Sequence, residues 1–252
     1  SAGTLDLHGT ITADGGAAVS GGNTQGLGGG SGGSIQIDCG VITVGSNGTI
    51  AARGGDGHGG GGGSGGGRIV VFCDDLSPLG TVTMAVRGGA VDIGGAANGS
   101  AGSLYLRPSR SDAGVAGDVI VDNGNVGSGL ATPFRTSLGT FRNLQLSQIG
   151  RLSVASVDRP SFTVQQPVFL TGGSSLQVGT GVTMAVSNAT GFDVNVESGS
   201  TLTLDAGSTL NADRVRVNGA VSTLNTRIGL SFPNPTDLEL PVLEKRKDRP
   251  QY

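Results

Sequence analysis

The sequence predicts an all-β fold, a right-handed parallel β-helix (β-solenoid) with glycine-rich loops in its N-terminal half. Three observations lead to this prediction. Glycine supplies 49 of the 252 residues, the first hundred residues repeat, and apolar residues alternate with period two in short β-branched runs. Only 4% of residues are aromatic and no window shows a helical period, so a helical bundle is excluded.

The first repeated phrase ends in a short apolar alternation. Its matching positions Leu5, Ile35, Ile69 and Leu104 stand 30, 34 and 35 residues apart. Side chains on one parity of a strand share a face, which predicts vertical rows inside the coil. The residues predicted to form these rows are Leu5, Ile35, Ile37, Ile69, Val71, Leu104 and Leu106.

A second phrase follows each of the first three copies. Residues 9–16 match residues 48–55, and Gly80-Thr81-Val82 begins a third copy that continues to residues 87–89. Each phrase reads as a short strand bounded by glycine. The repeat therefore contains at least two strands in each unit.

Glycine-rich loops, residues 21–33 and 54–67, lie between these units. One interpretation is flexible linkers. The other is tight surface excursions, in which glycine permits positive φ and close backbone approach. The second is favoured because the glycine runs recur in register with the strands.

The composition of the chain changes after its first hundred residues, which contain 32 of the 49 glycines. From Phe141 onward, four- to six-residue alternating strands follow one another, separated by short Gly, Ser, Asn or Asp turns. We therefore divide the chain into glycine-rich solenoid repeats (1–110), an irregular junction (111–140), regular short-strand coils (141–230), and a C-terminal extended segment with a charged tail (231–252).

Two all-β architectures fit short alternating strands, a sandwich and a solenoid. A sandwich needs aromatic-rich facing sheets and has no reason to repeat. A solenoid needs aliphatic rows in a narrow interior and self-similarity along the chain. The sequence has the second set of properties.

Two glycine-rich phrases, residues 28–37 and 48–55, and the later Gly-Ser-Thr-Leu-Thr-Leu phrase at 199–204 resemble a known group of repeats. These are the repeats of large secreted bacterial β-helix proteins, the autotransporter passenger regions and filamentous haemagglutinin-like adhesins. The resemblance covers most of residues 1–230, and it specifies fold better than function. It implies an exported, elongated, adhesive or structural protein, located outside the cell or on its surface.

Cys39 and Cys73 occupy the same place in successive units, two residues beyond Ile37 and Val71. Stacked in adjacent coils about 4.8 Å apart, they are within reach of a disulfide, which export would favour. A pair of stacked free thiols in the core is the equal alternative. Two cysteines alone are too few ligands for a metal site.

The remaining reactive side chains form no recognisable catalytic, cofactor-binding or metal-binding constellation, so we expect no cofactor. His8 and His58 are the only histidines, and neither neighbours a nucleophile. Asp74-Asp75 follows a strand at a corner, where acids serve as turn residues. The most charged interior stretch is a minor candidate for a site, and its members are Arg107, Arg110, Asp112, Asp118 and Asp122.

Charge and hydropathy exclude two classes of partner. The net charge is -3, so there is no global basic field for nucleic acid. No stretch approaches the roughly 18 apolar residues of a membrane span. The expected partners are instead other copies of the chain, a longer parent chain, or a surface glycan.

The leading functional hypothesis is a structural or adhesive extracellular surface protein without catalytic turnover. Its rival is a carbohydrate-active β-helix enzyme, a polysaccharide lyase or hydrolase. Such enzymes need a cleft with aromatic residues and clustered acids and bases, whereas this chain has only two tyrosines, Tyr105 and Tyr252. The scarcity of these groups favours the structural hypothesis.

The two chain ends suggest a route to assembly. Ser1 enters a repeat phrase at once, and an open first coil would expose unpaired strand edges. We expect either an N-terminus cut from a longer solenoid with a loose tail, or an end-to-end assembly by strand exchange. The proposed intersubunit strand contains Asp237, Leu238, Glu239, Leu240, Pro241, Val242 and Leu243.

Overall fold

The protein folds as an all-β chain with parallel sheets in a computed structural model. The structure describes residues 3–19, 26–93, 96–108, 114–188 and 191–223. These ranges contain strands and one short 3₁₀ helix (Ser77–Thr81), and no α-helix. Parallel pairing of this kind agrees with the sequence prediction at the level of fold class.

The strands of the N-terminal region pair in parallel over three ladders. They are β1 (Thr4–Leu7), β2 (Thr10–Thr12), β3 (Ser34–Cys39), β4 (Val41–Val44), β5 (Thr49–Ala51), β6 (Arg68–Cys73), β7 (Thr83–Ala85) and β8 (Ser103–Arg107). Strand β3 pairs with β6 and β6 with β8, β2 pairs with β5 and β5 with β7, and β1 pairs with β4. The chain thus returns to the same sheet once in each repeat.

The predicted aliphatic rows exist in this region. Ile35, Ile69 and Leu104 are successive register partners, and all three are buried. A second buried row follows two residues later along each strand, at Ile37, Val71 and Leu106. We call the cluster that contains these rows the N-terminal core.

Two of the predicted repeat alignments are wrong. Leu5 is half-buried and pairs with Ile42 on β4 rather than with Ile35. The reason is the order of strands: β1 immediately precedes β2, and β4 immediately precedes β5, the partner of β2. Thr83, and not Thr81, is the partner of Thr49, because the 3₁₀ helix takes up the residues before it. The match of residues 9–16 with 48–55 is confirmed by the pairing of β2 with β5.

Glycine-rich legs connect the N-terminal ladders. After β2, β5 and β7 the chain runs outward (outgoing legs, residues 13–18, 52–57 and 86–91) and then back (returning legs, residues 26–33, 61–67 and 97–102). Returning legs of successive layers hydrogen-bond at every third residue: Gly63 and Gly66 N–H donate to the carbonyls of Ala97 and Ser100 at 3.1 and 2.9 Å. Three residues per turn is the polyproline II period, whereas a strand has a period of two.

Legs within one layer also bond to each other. Gly67 N–H donates to the Ala52 carbonyl at 2.7 Å, and Ser64 N–H donates to the Gly55 carbonyl at 3.1 Å. The next outgoing leg joins this network, since Gly89 N–H donates to the Ser64 carbonyl at 2.8 Å. We call this hydrogen-bonded set of legs the glycine lattice. It shows that these described segments are ordered connections rather than flexible linkers.

Close packing explains why the lattice needs glycine. A Cβ atom at Gly66 would lie 1.9 Å from the Val86 carbonyl oxygen, and one at Gly63 would lie 2.0 Å from that of Gly89. Positive φ, which the sequence also suggested, occurs among the described glycines of these loops only at Gly59 and Gly60. The expectation of surface excursions is also wrong in part, because residues 54, 55 and 57 are buried.

The C-terminal region contains three longer parallel ladders. Its strands are β9 (Asp118–Asp122), β10 (Thr132–Pro133), β11 (Thr140–Phe141), β12 (Leu144–Ser147), β13 (Arg151–Val154), β14 (Ser161–Val164), β15 (Val168–Leu170), β16 (Ser175–Val178), β17 (Thr183–Val186), β18 (Val194–Val196), β19 (Thr201–Leu204), β20 (Thr209–Asn211), β21 (Val215–Val217) and β22 (Ala220–Thr223). Each strand from β9 to β19 pairs with the third strand after it.

Buried aliphatic side chains line these ladders from end to end. Leu152, Leu176 and Leu202 are successive register partners and are at most 2% exposed. Glycines at positive φ turn the chain between strands, with φ of +59° at Gly172 and +81° at Gly199. The buried cluster that these ladders enclose is the C-terminal core. The interval 111–140, which we expected to be irregular, contains β9, β10 and β11, the first strand of each ladder.

One antiparallel pair joins the two regions. Strands β8 and β9 are antiparallel neighbours within an otherwise parallel eight-stranded sheet, the shared sheet, with Leu104 opposite Ile120 and Tyr105 opposite Val119. Register partners point to the same face. Leu104 belongs to the N-terminal core and Val119 to the C-terminal core. The two cores therefore lie on opposite faces of the shared sheet.

Candidate functional site

The two cysteines lie in adjacent strands as register partners, as the sequence predicts for stacked units. Both are buried free thiols, and their sulfur atoms are 2.9 Å apart. Burial, together with the neighbouring Cys73 thiol, raises the pKa of Cys39 to about 12. A protonated, enclosed thiol is a poor nucleophile. The disulfide between them stays a prediction.

The acidic pair at the end of β6 acts locally. The Asp75 carboxylate accepts a hydrogen bond from Ser77 N–H at 2.8 Å, and hydrogen bonds from the side chain and backbone of Ser77 lower its pKa. This is the geometry of an Asx turn leading into the 3₁₀ helix. Asp75 therefore supports the chain turn that the sequence suggested for this pair.

Two acids of the charged interior stretch tie β9 to β12. Asp118 accepts hydrogen bonds from Arg142 Nε at 2.7 Å and Asn143 Nδ2 at 2.8 Å, and its second oxygen pairs with Arg142 Nη2. These bonds raise the pKa of Arg142. Asp122 accepts from Ser147 Oγ at 2.6 Å and from Gly124 N–H at 2.7 Å. Both carboxylates are engaged in holding strands together.

Arg107, the remaining described member of that stretch, contacts an aromatic ring. The Arg107 guanidinium stacks over the Phe72 ring at 4.7 Å, and Arg110 and Asp112 lie outside the described residues. His8 is exposed beside Asp6, and His58 pairs with Asp92. Among the described residues no group of three His, Cys, Asp or Glu side chains is placed to hold a metal ion.

A groove of about 670 Å³ lies where the shared sheet passes from one core to the other. We call it the step groove. Its floor is the outward face at the start of β3, β6 and β8, where Ser34, Arg68 and Ser103 are register partners. Its wall is the segment between β10 and β11, residues 132–138. Its volume is in the range of small-ligand sites.

Aromatic rings close the inner end of the step groove. Tyr105, which is half-buried, meets Phe141 edge-on with ring centroids 6.5 Å apart. Phe134 packs against Phe141 at 5.2 Å, and both phenylalanines are buried. Phe162 continues the cluster into the C-terminal core. The polar floor therefore ends at an aromatic boundary.

The step groove is cationic in an acidic protein. Arg68 and Arg135 line it, and none of the described residues that line it is acidic. Arg68 forms no side-chain hydrogen bond or ion pair with a described residue, and Arg135 Nε is 3.5 Å from an oxygen of Asp158. The groove thus offers two guanidinium groups with little internal neutralisation.

A smaller groove of about 350 Å³ lies on the outer face of β13, β16 and β19. We call it the side groove. Arg151, Ser175, Gln177 and Thr201 line it, together with Leu152, which also lines the step groove. Arg151 Nε is buried and has no hydrogen-bond partner. An unsatisfied buried donor of this kind calls for a ligand or water.

Sequence reasoning did not identify these arginines. Arg68, Arg135 and Arg151 belong to three distant segments, and no spacing rule connects them. The available signal was that Arg68 and Arg151 stand in predicted strands without a nearby acid, and Arg135 lies in the predicted irregular junction. The predicted intersubunit strand, Asp237 to Leu243, lies outside the described residues, so the structure does not place it.

Within the part of the chain that the structure describes, no helix has the length and apolar character needed to cross a membrane. Comparisons of the chain with protein-family models, with curated proteins and with solved structures found no match.

Proposed function

We propose that the chain is a right-handed parallel β-helix that serves as a structural or adhesive protein outside the cell or on its surface. The observation that carries this proposal is the continuous stacking of buried rows, such as Leu152, Leu176 and Leu202, along parallel ladders. Stacked ladders give a stiff, elongated body whose stability grows with each added repeat. The resemblance of the glycine-rich phrases to exported bacterial repeats supports the location.

The geometry at β8 and β9 supports one winding sense throughout. Strand direction reverses between these strands, and the core moves to the other face of the sheet. Either change alone would invert the hand of the winding, and the two together preserve it. Because parallel strand crossovers are right-handed in about 98% of cases, we assign the right hand to both regions.

The use of charged groups also favours a structural role. Asp118 and Asp122 are the acids best placed for a site. Asp118 accepts hydrogen bonds from Arg142, and Asp122 accepts them from Ser147 and the Gly124 backbone. The rival proposal is a carbohydrate-active enzyme, and its hydrolase form would require a free carboxylate pair in a groove. The test is an assay for reducing ends or unsaturated products over a polysaccharide panel. Turnover above a boiled-protein control contradicts the structural proposal.

Self-assembly through the first layer is part of this proposal. Later copies of one lattice position require glycine because the preceding layer fills the space: a Cβ at Gly55 would lie 2.1 Å from the Gly16 oxygen, and one at Gly89 would lie 1.9 Å from the Gly55 oxygen. Gly16 holds the same place in the first layer, and a Cβ atom at Gly16 would meet no atom within 4 Å. A further layer could pack at this place, from a second copy of the chain or from a longer parent chain, and end-to-end assembly takes the first of these.

Particle size tests the assembly. The full chain should form particles longer than one protomer in micrographs and by light scattering. Gly16→Leu should reduce association, whereas Gly80→Leu, at a position with equally open space outside the lattice, should not. Deletion of residues 236–252 tests strand exchange separately. A monomeric full chain at all concentrations contradicts assembly, and unchanged particles after the deletion contradict the role of the tail.

A further inference from the structure

The step groove and the side groove form one cationic track on an acidic protein. Arg68, Arg135 and Arg151 line the two grooves, and no described Asp or Glu does. The chain as a whole has a net charge of -3, so this local excess of positive charge opposes the overall balance. Local fields of this kind concentrate anions at a groove.

The two grooves are adjacent along the fold. The chain that leads into and follows β10 borders both of them, with Gly129 and Ala131 on the side groove and residues 132–138 on the step groove. Leu152, the register partner of Thr132, lines both. A flexible chain could therefore occupy the two grooves together, whereas a small ion would fill only one of them.

Two of the three arginines are poorly satisfied among the described residues, whereas Arg135 lies 3.5 Å from an oxygen of Asp158. Arg151 Nε is buried without a hydrogen bond, and Arg68 has no side-chain partner among the described residues. A guanidinium group presents a fork of donors that matches carboxylate and sulfate oxygens. These side chains are thus prepared for an oxyanion that the protein itself does not supply.

We propose that this track binds an anionic polysaccharide through its carboxylate or sulfate groups. The proposal deepens the adhesive part of the proposed function, and it rests on that part. The other lining groups suit a sugar: the hydroxyls of Ser34, Ser103, Ser175 and Thr201 and the glycine backbone can exchange hydrogen bonds with sugar hydroxyls.

The aromatic groups argue against nucleic acid. Single-stranded nucleic acids bind by stacking bases on accessible aromatic faces. Phe134 and Phe141 are buried against each other, and Tyr105 is half-buried. The track has cations and hydroxyls without an open stacking platform, so an anionic glycan fits it better.

Binding to immobilised polysaccharides tests the proposal on the full chain. The probes are polygalacturonate for carboxylate, dextran sulfate for sulfate, neutral dextran, and single-stranded DNA, each measured at 50 and 300 mM salt. We expect binding to at least one of the two acidic polysaccharides that weakens with salt, since exposed charge pairs are screened. The relative affinity of polygalacturonate and dextran sulfate identifies the preferred anion.

Variants locate the binding. Arg68→Gln with Arg135→Gln, and separately Arg151→Gln, should each weaken binding by about tenfold, because each removes charge-assisted hydrogen bonds. Arg216→Gln is the matched control for Arg151→Gln, since it also removes one positive charge, at an exposed residue on the opposite face of the shared sheet. Melting curves and particle size, recorded on the same samples, show whether each variant keeps the fold and the assembly.

Three results would overturn the proposal: no binding to either acidic polysaccharide at 50 mM salt, equal weakening by Arg216→Gln, or tighter binding of single-stranded DNA. Rods that assemble normally but bind no acidic glycan would reject the ligand while leaving the structural proposal standing. If the wild-type chain formed no rods and lacked the parallel ladders, that result would reject the structural proposal itself.

Discussion

The side chain of Asn123 takes the place of a peptide group for Gly88. Gly88 N–H donates to Asn123 Oδ1 at 2.8 Å, whereas the equivalent Gly54 N–H donates to the backbone carbonyl of Arg87 in the following layer. Asn123 Nδ2 also donates to the Gly99 and Val126 carbonyls. One buried amide from the C-terminal region thus completes the last layer of the glycine lattice.

Asn123→Ala should therefore destabilise the N-terminal region. The substitution leaves a buried donor and a buried acceptor unsatisfied, at a cost of roughly 2–4 kcal/mol. Chemical denaturation measures the change, and Asn47→Ala, at an exposed asparagine, is the matched control. Equal stabilities of the two variants would show that Asn123 does not support the lattice.

Alanine substitution at two adjacent glycines of one returning leg should change the free energy of unfolding by very different amounts. Gly66→Ala should cost at least about 2–3 kcal/mol, because its Cβ would strike the Val86 carbonyl oxygen at 1.9 Å. Gly65→Ala should change the free energy of unfolding by less than about 1 kcal/mol, because the nearest atom to its Cβ is 3.6 Å away. Thermal melting of the pair checks this, and similar melting temperatures would contradict the lattice.

Ile69→Asp should unfold or strongly destabilise the N-terminal core. Ile69 is 0% exposed and sits in the middle of its row, so an aspartate there would be an unpaired buried charge costing about 3–5 kcal/mol. Gln36→Asp, at an exposed position of the neighbouring strand, should have little effect. Wild-type-like melting of Ile69→Asp would contradict the assignment of the row to the interior.

Oxidation should join Cys39 and Cys73 within one chain. The sulfurs are already 2.9 Å apart, and closing a loop between these residues should stabilise the fold by roughly 3–4 kcal/mol. Intact mass and thiol counting after mild oxidation measure the bond, and Cys39→Ser is the control. Persistence of two free thiols would favour the alternative of stacked free thiols, and disulfide-linked dimers would contradict a bond within one chain.

Reduced protein should lose stability at high pH through Cys39. Its thiol ionises near pH 9 in the unfolded chain but only at about 12 in the folded protein, because burial raises the pKa. Above pH 9 the unfolded state releases a proton that the folded state keeps, so stability falls progressively between pH 9 and 12. Comparison with Cys39→Ala isolates this thiol, and parallel stability profiles for the two proteins would contradict the shift.

The sequence predicted the rows of the fold well because they depend on local alternation. Ile35, Ile69 and Leu104 could be aligned from their own flanking residues, and their register is confirmed. Leu5 could not be aligned correctly from its flanking residues. These resemble the residues around β3, whereas β1 pairs with β4.

Other features had no readable signal. The positions that require glycine are hidden in a glycine run that only Ser64 interrupts, where Gly65 and Gly66 look identical in the sequence. The core lies on one face of the shared sheet up to β8 and on the opposite face from β9 onward. This change does not alter the period-two alternation of apolar residues in the sequence. The grooves could not be predicted from the sequence, because their arginines belong to separate segments that come together only in the folded chain.

The antiparallel pairing of β8 with β9, which places Leu104 opposite Ile120, makes the two regions independent in length. Register partners are 34 and 35 residues apart along β3, β6 and β8, but 24 and 26 apart along β12, β15 and β18. Duplication of a whole coil in either region would extend that region and leave the β8–β9 contact untouched. A coil transplanted from one region into the other would be about ten residues too long or too short, so lengthening by duplication can occur only within each region's own series.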